Sequence, residues 1–143
     1  ARRPVALPRC CQVCLRDCGF PGLRAAPARA VVAAGLHPTI GLFHANRGNS
    51  FALADDLMEP FRPLVDCTVR TLVERSGIQV DTNAKQTLAR LIATDLPLGD
   101  GVTPVSVALI KLATSLGQSF QSGKLALALP RPPDALTLAG LGA

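Results

Sequence analysis

The sequence contains no tryptophan and no tyrosine, and aromatic residues make up only 3% of its 143 positions. A base-stacking platform for single-stranded nucleic acid would therefore have to come from the five phenylalanines. These do not form the aromatic pattern that is typical of RNA-recognition modules. The sequence gives no support to that class of nucleic-acid binder.

Long hydrophobic runs are also absent. Hydrophobic residues account for 48% of the chain, but no run reaches the roughly 18 to 20 residues that a membrane span requires. Arg2 and Arg3 are followed by prolines and cysteines rather than by the clean apolar stretch of a secretory signal. We therefore expect a soluble, cytoplasmic protein without a membrane partner, in which the five cysteines are reduced.

Acidic residues are scarce near the start of the chain. Residues 1–30 hold six arginines and one aspartate, whereas residues 31–143 hold nine basic and nine acidic residues, so the first segment carries the whole net charge of +5. A basic end of this kind can bind phosphate, but it is also typical of a solvated terminus. The charge alone does not decide the function.

Recurring strand patterns and internal repeats are missing too, and alanine and leucine dominate, which favours helix. The length suits one domain, and we expect an all-α helical bundle. The first helix is predicted over residues 23–34, with Gly35 as its stop and Pro27 as the discordant residue.

Three further helices are predicted from apolar spacing and caps. One runs from the N-cap Ser50 to about Arg75, one from Asn83 to Ala93, and one from the cap Thr103, with Pro104 in the first turn, to Ser122. The apolar positions expected to face the core are Phe51, Leu53, Leu57, Met58, Leu64, Val65, Val69, Leu72 and Val73 in the first of these, and Val107, Leu109, Ile110, Leu112, Ala113, Leu116 and Phe120 in the last.

Three carboxylates lie close together in the segment LADDLMEPFRP. Residues three and four apart share a helix face, so Glu59 should lie beside Asp55 and Asp56. The simplest explanation is a solvated face on which Arg62 offsets the charge. The apolar surroundings indicate instead that at least one carboxylate points inward, where it needs a partner.

Two prolines follow these carboxylates at a spacing of three. Pro60 and Pro63 cannot donate to the carbonyls of Asp56 and Glu59, since an α-helical hydrogen bond runs from residue i to residue i−4. The sequence predicts a kink centred on the acidic turn, which would direct the carboxylates toward a common point.

His44 stands in the loop before this helix, 15 residues ahead of Glu59. A lone loop histidine is commonly a surface or capping residue. An imidazole with two or three carboxylates is, however, also the ligand type that suits Mg²⁺ or Mn²⁺. Such a cation would assist phosphodiester chemistry.

The stretch AAGLHPTIGLFHANRGNSFALADDLMEPFRPLVD resembles the core of the CRISPR-associated spacer-acquisition integrase, especially the form of type II systems. The histidine, the N-x-x-N pair and the acidic turn stand in order, and residues 103–130 are similar to the C-terminal helix of that family. The resemblance implies a helical catalytic domain over residues 17–130, an irregular or frame-shifted segment over 1–16, and a flexible tail over 131–143.

The resemblance also implies a function. Members join the 3′-hydroxyl of captured DNA to the CRISPR array with a divalent cation, and they also cut DNA. It implies that His44 and Glu59 are catalytic metal ligands, that Asp56 is a supporting or partial ligand of the metal, and that Arg62 and Arg47 contact DNA. The implied partners are prespacer and repeat DNA, a second Cas adaptation protein, and a second copy of the full-length chain.

The first catalytic glutamate of the family has no counterpart here, and neither has its β-rich N-terminal domain. The chain is therefore expected to be a C-terminal fragment. Two alternatives remain open. The fragment is a catalytically inactive helical module that binds DNA or protein, or the cluster Cys10, Cys11, Cys14 and Cys18 holds a structural zinc ion.

Overall fold

The computed structural model describes residues 23–44, 46, 48–76 and 82–131. The cysteine cluster, Arg47, the segment 1–16 and the tail beyond residue 131 lie outside these residues. The predictions made for them are therefore not addressed by the structure.

The described chain is mostly helical, as the sequence predicts. Helix α1 occupies residues 23–33. The helices that follow are α2 (Ala52–Met58), α3 (Arg62–Ser76), α4 (Thr82–Arg90) and α5 (Val105–Ser122), with 3₁₀ turns at Glu59–Phe61 and Leu91–Ala93. No helix within these residues is long and apolar enough to cross a membrane.

The end of α1 follows from Gly35, as predicted. Gly35 has a φ of 73°, a left-handed conformation that only glycine adopts readily. Its amide donates to the carbonyl of Val32, and the amide of Leu36 donates to that of Val31. This pair of bonds is a Schellman motif, which satisfies the last carbonyls of the helix and turns the chain into the loop that follows. The helix itself continues through Pro27.

A two-stranded antiparallel hairpin precedes α5, and the sequence did not predict it. Strand β1 (Asp95–Leu98) pairs with β2 (Gly101–Pro104) across a two-residue turn. Gly99 has a φ of 63°, as such tight turns require. The strands have only four residues each, and Pro97 weakens their sequence signal.

Two predicted N-caps are wrong. Thr103 lies in β2 opposite Leu96, so α5 begins one residue later than predicted, with Pro104 at its N-cap position and Val105 as its first helical residue. Helix α2 begins after Phe51, and no side chain caps it. Asn49, rather than Ser50, accepts a hydrogen bond from a backbone amide at this point, that of Phe51.

Helix α5 forms one wall of the hydrophobic core. Its buried residues recur at helical spacing and are Val105, Ala108, Leu109, Leu112, Ala113 and Leu116. The predicted core residues of α2 and α3 are buried, with the exception of Phe51 before the helix, which is exposed. In α5, Val107, Ile110 and Phe120 are exposed, so their assignment to the core is wrong.

The segment after α5 returns along the helix without regular structure. Ser119 Oγ accepts a hydrogen bond from the amide of Ala126 at 3.1 Å, and Ser115 Oγ accepts one from the amide of Ala128 at 2.9 Å. Both hydroxyls also donate to carbonyls of α5, those of Ser115 and Leu112. The amide of Arg131 donates to the carbonyl of Pro97 and ties the segment to the hairpin.

Replacement of Ser115 should release this segment. Ser115→Ala leaves the half-buried amide of Ala128 without its acceptor, which costs about 1–3 kcal/mol in the free energy of unfolding. Urea denaturation measures the loss, and faster hydrogen exchange at Ala128 locates it. Ser106→Ala, in the first turn of the same helix, is the control and should change neither quantity.

Candidate functional site

The loop from Gly41 to Phe51 carries His44 and lies against the first turns of α2. Asp56, on α2, holds the first half of this loop. Its Oδ2 accepts hydrogen bonds from the amides of Leu42 at 2.5 Å and Phe43 at 3.0 Å, and its Oδ1 accepts one from the amide of His44 at 3.2 Å. Three successive backbone amides thus converge on one carboxylate.

The same carboxylate also orients the imidazole. His44 Nδ1 lies 2.5 Å from Asp56 Oδ1, and only 4% of the Asp56 side chain is exposed. A neutral ring that donates from Nδ1 keeps its lone pair on Nε2. A carboxylate that fixes a histidine in this way is the usual outer partner of a metal-binding imidazole.

The acceptor capacity of Asp56 is therefore used within the protein. Four N–H groups occupy the roughly four lone-pair positions of an ionised carboxylate. This arrangement favours a role in which Asp56 positions His44 over one in which it binds a cation directly. The resemblance implied a supporting or partial ligand role for Asp56, and that role stays a prediction.

Gly41 allows the loop to approach α2 this closely. A Cβ atom at residue 41 would lie 2.5 Å from the carbonyl oxygen of His44, 2.9 Å from Ala52 Cβ and 3.1 Å from Asp56 Oδ2. Any side chain here would collide with backbone and with the carboxylate itself. The sequence analysis assigned Gly41 no role beyond marking a loop.

Asp55, the neighbour of Asp56, holds the second half of the loop. Arg24 on α1 donates two hydrogen bonds of 2.7 Å to the Asp55 carboxylate, from Nε to Oδ1 and from Nη2 to Oδ2. Asn49 Nδ2 also donates to Asp55 Oδ2 at 2.7 Å. Arg24 was not among the predicted site residues. The sequence signal that pointed to it was that an inward-facing aspartate needs a cationic partner.

Glu59 has a different environment. Its side chain is 44% exposed, and Arg62 Nε lies 3.1 Å from its Oε1. This pair confirms that Arg62 offsets charge on the acidic turn, and the DNA contact assigned to Arg62 stays a prediction. The three carboxylates bind three different partners, so the expected common point is not formed. Asp55 and Asp56 are adjacent in α2, and the helix directs their side chains to different sides.

The α-helix is interrupted at the acidic turn, where the sequence predicted a kink. The helix passes through a 3₁₀ turn at Glu59–Phe61. The carbonyl of Asp56 accepts from the amide of Glu59, and the carbonyl of Glu59 accepts from the amide of Arg62. These shorter bonds satisfy the two carbonyls whose α-helical donors Pro60 and Pro63 remove.

His44 and Glu59 line the same cavity, which has a volume of about 510 Å³. Its other walls are mostly apolar and include Leu112 and Leu116 of α5 and Leu127 and Leu129 of the segment after it. The polar groups therefore lie at one part of an otherwise hydrophobic cavity. Among the described residues, no group of three or more His, Cys, Asp or Glu side chains is arranged to hold a metal ion.

His44 and Glu59 are the two residues of this cavity whose side chains could contribute ligands to a divalent cation. An oriented imidazole offers Nε2, and a half-exposed carboxylate offers oxygen, which are ligands that Mn²⁺ and Mg²⁺ accept. Further ligands would have to come from outside the described residues or from water.

Comparison with known proteins assigns the chain to a class. The family model described as CRISPR associated protein Cas1 matches residues 22–95, which is more than half of the chain. The chain belongs to this family. The match includes the loop, the acidic turn and Arg24.

Two curated relatives are each named CRISPR-associated endonuclease Cas1. The protein from Neisseria meningitidis serogroup C (strain 8013) is 48% identical over 59 residues, which cover 41% of this chain and 19% of that protein. The protein from Leptospira interrogans serogroup Icterohaemorrhagiae serovar Lai (strain 56601) is 50% identical over 48 residues, which cover 34% of this chain and 19% of that protein. The matched segments thus span about a fifth of either relative's length.

A methyl group at residue 41 should displace the loop. Gly41→Ala forces a contact of 2.5 Å with the carbonyl of His44 to relax, and we expect a loss of about 1–3 kcal/mol in the free energy of unfolding. Gly48→Ala in the same loop is the control, because its Cβ would meet Asn46 Oδ1 at an ordinary 3.5 Å. Equal unfolding energies for the two variants would contradict the close packing of Gly41.

The carboxylates should also make stability depend on acid pH. Burial by itself would raise the pKa of Asp56, but hydrogen bonds from His44 and the loop amides lower it below its ordinary value of 3.8. Burial likewise opposes the bonds from Arg24 and Asn49 that lower the pKa of Asp55. The folded state thus binds fewer protons, so this stabilisation is complete above the ordinary value and disappears as pH falls through the lowered pKa values.

Asp56→Asn tests this linkage. The variant removes one of the two titrating carboxylates and about half of the acceptor capacity for the loop. Its free energy of unfolding at neutral pH should fall by about 1–3 kcal/mol. Between about pH 5 and pH 2, the free energy of unfolding should decrease less steeply for the variant than for the unsubstituted chain. Urea titrations over this pH range measure both. Parallel pH curves for the two proteins would contradict the assignment.

Proposed function

We propose that this chain carries part of the catalytic site of a DNA endonuclease and integrase of CRISPR adaptation, the enzyme that joins the 3′-hydroxyl of captured DNA to the CRISPR array. The observation that carries the proposal is the fixed position of His44. Asp56 binds both the ring and the backbone amide of His44, and His44 lines the same cavity as Glu59. Membership of the family and the name endonuclease of the two relatives support it.

The chemistry asks for a divalent cation. Bound Mg²⁺ or Mn²⁺ would polarise a phosphoryl oxygen of the DNA backbone. His44 would hold it through Nε2 and Glu59 through its carboxylate, with the remaining ligands from elsewhere in the longer protein. Asp56 would keep the imidazole in the tautomer that presents Nε2.

In this proposal, the cation takes the place of Arg62 as the partner of Glu59. Glu59 is paired with Arg62 at the surface, where an ion pair contributes little energy. A cation can therefore replace the guanidinium beside Glu59 at low cost. The proposed role of Arg62 is to contact the DNA backbone near this cation. Prespacer and repeat DNA, a second Cas adaptation protein and a second copy of the full-length chain belong to the proposed assembly.

A second function is a helical module that binds DNA or protein without catalysis. The observation that favours it is the two-ligand site, since the described residues offer no cluster of three potential ligands. A structural zinc site at the cysteine cluster is the third alternative. Zinc that copurifies at one ion per chain, and whose removal by a chelator lowers helix content, would support it.

The first prediction from the proposal concerns the full-length parent protein. His44→Ala and Glu59→Ala should each lower strand joining by a factor of about 100 or more, because a ligand of the proposed cation is lost. Binding to DNA should stay nearly unchanged, since basic residues elsewhere contact the backbone. Glu74→Ala, an exposed carboxylate on α3, is the control and should join strands normally. Normal joining by both site variants would overturn the metal assignment.

The isolated chain should behave differently from its parent. With His44 and Glu59 as its only proposed ligands, we expect little or no cleavage or joining of DNA in Mn²⁺. A gel assay with labelled duplex measures both reactions. Robust Mn²⁺-dependent cleavage that His44→Ala abolishes would show that the chain holds a complete site.

A further inference from the structure

Arg24 is the centre of a closed set of side-chain bonds outside the cavity. It comes from α1, and its partners come from the loop and from α2. In addition to its two bonds to Asp55, its Nη2 donates to Asn49 Oδ1 at 2.8 Å. Because Asn49 Nδ2 donates to the same aspartate, each of the three side chains contacts the other two.

Asn49 connects this set to the backbone of the loop. Its Oδ1 also accepts from the amide of Phe51 at 3.0 Å, and its own amide donates to the carbonyl of Asn46. The ring of Phe51 lies under the guanidinium, 5.2 Å from it to the ring centroid. The end of the loop that leads into α2 is thus fixed by Arg24 and Asn49, just as the beginning is fixed by Asp56.

The set also determines what Asp55 can do. Three N–H groups, two from Arg24 and one from Asn49, occupy its two oxygens. Asp56 is occupied by the loop. Of the three carboxylates in the acidic turn, Glu59 is the most exposed. Its ion-pair partner is the surface guanidinium of Arg62, and it lines the cavity together with His44 and Asp56.

We propose that Arg24 and Asn49 are positioning residues of the site: they hold Asp55 away from the cation and fix the far end of the loop that presents His44. This inference rests on the proposed function, because it assigns a cation to His44 and Glu59. It concerns how α1, which contributes no ligand, determines the geometry and the ligand set of that site.

The shape of the guanidinium makes the proposal testable. Lysine keeps the positive charge but cannot make two parallel bonds to a carboxylate and a third to an amide oxygen. Arg24→Lys therefore removes the geometry and keeps the charge. Arg29→Lys is a matched control, since Arg29 lies exposed on the same helix.

The first measurement is hydrogen exchange of the 143-residue chain without metal. In Arg24→Lys we expect exchange about ten-fold faster or more at the amides of Asn49 and Phe51, and also at His44, whose amide bonds Asp56 rather than the Arg24 set. The amide of Leu112 in the core of α5 is the internal reference and should keep its rate. Arg29→Lys should show the exchange rates of the unsubstituted 143-residue chain at all four amides.

A merely structural role would give another result. If Arg24 only fastens α1 to α2, Arg24→Lys will speed exchange at Asn49 and Phe51 or lower global stability, and His44 will change no more than Leu112. That outcome overturns the proposal. Should Arg24→Lys not fold, Asn49→Ala replaces it with the same expectation and the same contradicting result.

The second measurement is binding of Mn²⁺ alone, followed by electron paramagnetic resonance. Arg24→Lys should bind Mn²⁺ about ten-fold more weakly than Arg29→Lys. Unchanged affinity overturns the part of the proposal that concerns the cation. A third outcome separates the two proposals: the unsubstituted chain binds no Mn²⁺ at His44 and Glu59, while Arg24→Lys still speeds hydrogen exchange at the amide of His44. The proposed function then fails, and the positioning of the loop by Arg24 stands.

Discussion

The buried carboxylate of Asp56 is the constraint on which the site depends. A carboxylate with 4% of its side chain exposed must be fully hydrogen-bonded, and it meets this need with three loop amides and one imidazole. The loop conformation, the orientation of His44 and the absence of a side chain at Gly41 all follow from that requirement. Helix α2 thus determines the conformation of the loop through the hydrogen bonds of Asp56.

Adjacent residues take separate tasks here because of helix geometry. Successive side chains on an α-helix diverge by about 100°, so Asp55 and Asp56 face different neighbours even though their backbones touch. Asp55 faces α1, Asp56 faces the loop, and Glu59 lies one turn later at the cavity. The proline-induced 3₁₀ turn then lets α3 leave in a direction that keeps Phe61 and Leu64 in the core.

The sequence was informative where local rules suffice. Gly35 as a helix stop and the interruption of the helix at Pro60 and Pro63 depend on contacts within a few residues. The buried faces of α2 and α3 were predicted from apolar residues that recur at helical spacing. The hairpin at residues 95–104 was missed, because four-residue strands with a proline carry little periodic signal. The exposure of Val107, Ile110 and Phe120 could not be read from spacing, since α5 is apolar on more than one face. Arg24 was missed because its partners lie 25 and 31 residues away in the chain, and the importance of Gly41 appears only when the loop is seen against α2.

Two backbone amides attach the segment after α5 to that helix. Ser119 accepts from the amide of Ala126 and Ser115 accepts from the amide of Ala128, and every residue except proline has such an amide. Leu127, which lies between these two residues, and Leu129, which follows them, line the cavity. Substitution at 127 and 129 can therefore change the chemistry of the cavity wall while both hydrogen bonds remain, and at 127 it also changes the packing against the core. In relatives, variation at these two positions would alter what the cavity accommodates, while 126 and 128 would exclude proline and little else.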